Sequence, residues 1–210
     1  MKQNRVEAED IFLWKGKNDV FRPRFSTRET WHHTRTVSPA VAWHKSVWFA
    51  GGTPKFSFCV WLAAHNRLST GDRLLLWNRG LSTGCALCSH TLESRNHLFF
   101  SCAYASDTWQ ALAKNLYGAK YTTNWNDLIA ATSAHWPDRT AGFIARYVFQ
   151  ATVHTIWRER NNRKHGDRPN PPATLIRWID KQVRDKLSSL KASGDRRHEK
   201  GLQIWFAARS

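Results

Sequence analysis

A mainly α-helical chain, with one β-hairpin near its N-terminus and one small lobe built on cysteine and histidine, is what this sequence predicts. Two apolar runs flank a turn sequence between residues 10 and 25. From Pro54 onward, apolar residues recur at three- and four-residue intervals, the spacing of one helix face. Between the helical stretches, three cysteines and a histidine crowd into residues 85–102.

In the hairpin, Ile11 to Trp14 and Val20 to Phe25 are the two runs, and Gly16-Lys17-Asn18-Asp19 is the turn. Pro23 assigns the second run to an edge or a bulge. Ser26 and Glu29 have capping-box spacing and start a short helix through Trp31 and His32. Val41, Trp43, Val47 and Trp48 follow Pro39 as another short helix, ended by Gly51-Gly52. Pro54 suits the first turn of an apolar helix ending near Asn66; apolar nearly all round, it is expected to be the buried centre. A helix from about Gly71 to Asn78 stops at Gly80.

Beyond the cysteines, Ala105, Trp109, Leu112 and Leu116 mark a helix ended by Gly118, and Trp125, Leu128 and Ile129 a shorter one. Phe143 to Trp157 is long and apolar, and its last turns become Arg158, Arg160, Arg163, Lys164 and His165 before Gly166. After a linker over 167–172, Leu175, Ile176, Ile179, Val183, Leu187 and Leu190 share one face of a last amphipathic helix. The tail from Ser193 is charged and expected to be loose, apart from Ile204-Trp205-Phe206. The domain plan is 1–38 for the hairpin and short helix, 39–118 for the cysteine-bearing domain, and 119–166 for a helical extension. The amphipathic helix takes 171–192 and the tail 193–210.

Apolar residues make up 41% of the 210, enough for a core. The twelve Trp and eleven Phe serve packing or base stacking equally well. Thirty-two Lys and Arg face sixteen Asp and Glu, and the net charge of +16 attracts polyanions, nucleic acid before anionic membranes. The run Phe56 to Ala64 falls far short of the roughly 18 residues of a bilayer span, so no membrane partner is expected. The N-terminus has no apolar signal-peptide core, which points to a reducing compartment where clustered cysteines favour metal over disulfides. Basic clusters at Arg158–Lys164 and Arg196–Lys200 point to the nucleus, with the cytoplasm as alternative.

Two residues separate Cys85 from Cys88, eight separate Cys88 from His97, and four separate His97 from Cys102. A Cys-x2-Cys turn aims two thiolates at one point, and thiolates with imidazole are the preferred ligands of tetrahedral zinc. Gly84 frees the backbone before Cys85, and Leu98-Phe99-Phe100 returns the chain to Cys102. The competing readings are four ordinary buried residues, or a disulfide that leaves a third thiol over. His90 competes for the place of His97 but sits awkwardly close to Cys88, and Cys59 reads as a small core hydrophobe. Four filled positions leave no room for water or substrate, so one structural Zn2+ is expected, its binding energy becoming folding energy. The fold class is therefore mainly α: a helical domain with an N-terminal β-hairpin and a small zinc-knuckle-like lobe.

Pro54-Lys55-Phe56-Ser57-Phe58-Cys59-Val60-Trp61-Leu62-Ala63-Ala64-His65-Asn66-Arg67-Leu68-Ser69-Thr70, Cys85-Ala86-Leu87-Cys88, Glu93 to Cys102, and Trp109 together resemble one family. It is the reverse-transcriptase zinc-binding domain that follows the polymerase in plant LINE-type (non-LTR) retroelements. Phe25 to Trp31 is similar to its entry motif and Ile156 to Gly166 to its distal helix, so the resemblance spans about 10–166. It implies a metal-binding accessory module of a retrotransposon protein that helps engage RNA or DNA. A polymerase palm needs paired aspartates for two metal ions, and the chain has no Asp-Asp pair, so a reverse-transcriptase activity is not expected of it.

Two functions compete. In the first, Arg79, Arg95, Arg158, Arg160, Arg163 and Lys164 contact the phosphates of RNA or DNA, and Phe99, Phe100 or Tyr104 stack on bases unless they pack the knuckle instead. In the second, the zinc only holds a scaffold, and helix 171–192 docks on a protein partner or on the domain itself. Catalysis has no support: His32, His33, His44, Ser46, Cys59 and His65 form no recognisable base, acid and nucleophile, so no catalytic residue is assigned.

Overall fold

The computed structural model describes residues 10–77 and 82–209, which divide after Ala40 into two units. In the first, β1 (Trp14–Lys15) pairs antiparallel with β2 (Phe21–Arg22), Trp14 lying opposite Arg22. The turn between them needs left-handed backbone, and Asn18 and Asp19 supply it at φ 59° and 58°. Those two residue types tolerate that region best after glycine. α1 (Thr27–Thr34) starts at the expected cap: the Ser26 hydroxyl accepts the Glu29 N–H at 3.2 Å.

In the second unit, the longest helix sets the plan. α7 (Arg139–Lys164) runs 26 residues from an Asp138 cap, whose carboxylate accepts the Thr140 and Ala141 N–H groups, to Gly166 at φ 88°. It buries Phe143, Ile144, Tyr147, Val148, Phe149, Val153 and Ile156. Around it stand α2 (His44–Val47), α3 (Pro54–Ala64), α4 (Gly71–Trp77), α5 (Ala103–Tyr117) and α6 (Trp125–Ser133). α8 (Pro172–Ala192) and α9 (Gly201–Ala207) complete the set. The buried Gln150 of α7 donates to the carbonyls of Ser46 and Val47 and accepts from the Ser57 hydroxyl, tying α2 and α3 to it.

Two expectations change. The centre is α7, not α3: α3 buries Phe56, Cys59, Val60 and Ala63 but leaves Phe58 55% exposed. An eleven-residue helix has one covered side here, whereas the longer helix is buried along most of its length. The tail is packed. A 3-10 turn at Arg196–His198 leads into α9, where Trp205 is fully buried and its indole N–H donates to Asp180 of α8 at 2.8 Å. The apolar face of α8 is also occupied, because Leu175, Ile179, Val183 and Leu187 are buried against α5, α7 and α9. Of the two docking options for this helix, the structure takes the domain itself. The expected stop of α4 at Gly80 lies outside the described residues.

Candidate metal centre

The lobe begins where α4 meets it. A Cβ on Gly71 would collide with the Thr83 carbonyl, so only glycine lets the two backbones approach this closely. Two backbone bonds then pair the arms of the loop: Glu93 N–H to Thr83 carbonyl at 2.8 Å, and Cys85 N–H to His90 carbonyl at 2.8 Å. Within that frame the Cys85–Cys88 turn closes through the Ser89 N–H on the Cys85 carbonyl, with Ser89 left-handed at φ 61°.

His97 arrives from the other side. The Ser94 hydroxyl accepts its N–H at 3.2 Å and starts a single π turn over His97–Ser101. That wide turn is closed by the Cys102 N–H on the His97 carbonyl at 2.7 Å, which returns the last ligand to the first three. π turns of this kind often mark functional positions, because the extra residue re-aims side chains. Cys102 also begins α5, accepting the Ser106 N–H at 2.7 Å, so the positive end of that helix dipole faces the sulfurs.

The ligand atoms of Cys85, Cys88, His97 and Cys102 all lie within 4.8 Å of one another. Cys85 Sγ is 3.9 Å from Cys102 Sγ, and His97 Nε2 is 3.2 Å from Cys88 Sγ. Tetrahedral zinc with bonds of about 2.3 Å to sulfur and about 2.0 Å to nitrogen separates its ligands by roughly 3.5–3.8 Å. The four residues therefore fit a single zinc ion. The fit extends to charge: a hydrogen bond from the Cys102 thiol, with further help from the Leu87 and Cys88 N–H groups, holds Cys85 down to about 4 against the opposing effect of burial. Cys102 is pushed up by the Cys85 thiolate beside it and by burial, which is the frustration a cation would relieve. His90 does not join the set; its ring stacks on His97 at 4.5 Å and its Nδ1 faces the Leu92 carbonyl.

Residues 25–109 match the family described as zinc-binding in reverse transcriptase. The match takes in all four ligands and stops at Trp109. No curated protein and no solved structure matches the chain.

Beneath the ligands lies a second layer that the sequence did not disclose. Glu93 is fully buried and forms a fork with Arg160 of α7, with N···O distances of 2.6, 3.0 and 3.2 Å. Its Oε1 also accepts the Gly71 N–H, while Arg160 donates onward to the Ser69 carbonyl and Asn161. One turn later Arg163 donates to Glu159 at 2.8 Å, to the Asn170 carbonyl at 3.0 Å and, at 3.4 Å, to the carbonyls of Ala86 and Leu87 inside the Cys-x2-Cys turn. Burial opposes ionisation of Glu159, but hydrogen bonds from Arg163 and Asn170 outweigh it and hold the carboxyl below its ordinary range. Only the Glu159–Arg163 spacing of four was a visible local signal. Glu93 and Arg160 are 67 residues apart and gave none.

This layer corrects one expectation. Arg160 is 4% exposed with its guanidinium enclosed, so it cannot meet a phosphate. Arg163 is half-buried and holds the knuckle to α7, and Lys164 reaches the Ser82 carbonyl at 3.3 Å. Arg95 lies over the Trp125 ring and donates to the Ala63 carbonyl and Asn96. Arg158 is exposed, and Arg79 lies outside the described residues. Phe99 and Phe100 are fully buried among Trp109, Trp125 and Phe149, which makes them packing and not stacking residues. The Tyr104 hydroxyl donates to the Asn170 carbonyl beneath the Arg163 guanidinium.

Proposed function

We propose that this chain is a zinc-stabilised module of retroelement origin that binds single-stranded nucleic acid and contributes binding, not chemistry. The supporting observation is charge: thirty-two Lys and Arg against sixteen Asp and Glu on a chain with a zinc-binding family match. A surface of that sign gains affinity for a phosphate backbone by releasing its counterions. The zinc in this reading is a folding clamp, since its four protein ligands leave no position for a reacting water.

The inward placement of Arg160 and Arg163 favours a second reading, a scaffold whose cations serve its own fold. Anisotropy titration of a labelled oligoribonucleotide with the zinc-loaded chain decides between them. The proposed function predicts a log Kd that rises linearly with the logarithm of salt concentration between about 50 and about 200 mM. No detectable affinity at the lowest salt leaves the scaffold.

A further inference from the structure

On the side of α7 away from the zinc lobe, the first turn of α3 and the middle of α8 enclose an open cleft of about 430 Å³. Lys55, His154, Arg158, Trp178 and Lys181 line it. We propose that this cleft seats one unpaired nucleotide of a single-stranded nucleic acid, its phosphate between Lys55 and Arg158 and its base on Trp178. The inference rests on the nucleic-acid reading above and assigns it a place.

The chemistry of the lining carries the argument. Lys55 and Arg158 are both exposed, and neither makes an ion pair among the described residues, unlike Arg160 and Arg163; Lys55 lies over the Phe56 ring at 5.4 Å. Their charges converge on one point: besides burial, both push His154 down, to about 4, so its ring is neutral at pH 7 and offers one donor and one acceptor. Trp178 is 41% exposed at the rim, although the opposite face of its helix is buried. An exposed indole beside cations without ion pairs is the pairing that single-strand binders use, because every base has a π-face and every nucleotide a phosphate.

Other basic clefts lack this combination. Beside α6, Lys45 and Arg139 are exposed, but the indole of Trp136 is engaged: its N–H donates to the Ala131 carbonyl, its ring packs on Tyr117 and Lys120 lies over it. Next to Ala50, Arg197 is held by Asp195 at 2.7 Å.

The test uses the zinc-loaded full chain, short fluorescein-labelled oligouridylate and oligothymidylate, and a salt series. Lys55→Gln/Arg158→Gln is expected to lower affinity at least tenfold and to reduce the salt slope by about 0.7, the value for one phosphate on a single strand. Trp178→Ala is expected to lose about five- to a hundredfold without changing the slope, and Trp178→Phe to restore most of it. The charge-matched Lys114→Ala/Arg139→Ala protein, altered at exposed positions outside the cleft, serves as control and is expected to change less than threefold. Unchanged melting temperature and zinc content show that each variant is folded. Loss on the RNA alone assigns the cleft to RNA, and equal loss on both assigns it to either strand type. If the wild-type chain binds but the cleft variants match the control, the cleft is overturned and the general reading stands. If the wild-type chain binds neither oligonucleotide at low salt, both fall.

Discussion

Glu93 and Arg160 form a buried ion pair beneath the lobe. Both side chains are at least 95% buried, and removing one strands a charge out of water. Glu93→Ala is expected to cost about 3–5 kcal/mol, read by urea denaturation of the zinc-loaded protein. Replacing both partners, as Glu93→Leu/Arg160→Met, is expected to recover most of that loss, since no charge is left unpaired. His154 contributes a pH dependence to the fold. His154 binds its proton only near pH 4, whereas in the unfolded chain it does so near the ordinary 6.5. The unfolded state therefore takes up the proton first, and stability falls as pH drops from about 6.5 to about 4. His154→Gln removes this contribution, so its stability should decline less steeply than that of wild type across that window. Parallel curves would show that His154 contributes nothing.

Among the elements, α9 carries the clearest prediction. Trp205 is fully buried and bonded to Asp180, and a Cβ on Gly201 would press on Leu187, so the last helix is seated on α8. Trp205→Ala is expected to cost about 3–5 kcal/mol by thermal or urea unfolding. A loose tail would show no change. The sequence singles out Ile204-Trp205-Phe206 but not the helix that carries them, because the residues before it are Arg, His, Glu and Lys. α8 itself was legible, its stripe from Leu175 to Leu187 being all local signal, and so were the α1 cap at Ser26 and the Gly118 stop. α3 misled for the opposite reason. Composition apolar on every side says nothing about which side is covered, and Phe58 and Trp61 stack on each other toward the outside.

For the whole molecule, the four candidate ligands were legible and their supports were not. Cys85, Cys88, His97 and Cys102 announce themselves by spacing within eighteen residues, whereas the clamp beneath them joins loop to helix across the chain. The same long-range pairing redistributes the charge. Cations that read as one basic strip at 158–164 divide into Arg160 and Arg163, which hold the lobe, and Arg158, which is exposed. The central claim is that one zinc ion, bound by those four residues, locks the lobe onto α7. Amide hydrogen exchange of the full chain, with metal content determined in parallel, tests it most directly. One zinc per chain is expected. Its removal by a chelator should strip protection from the amides of 83–102 while those in the middle of α7 stay slow. Protein that carries no zinc, or that loses it with protection of 83–102 unchanged, would contradict the account.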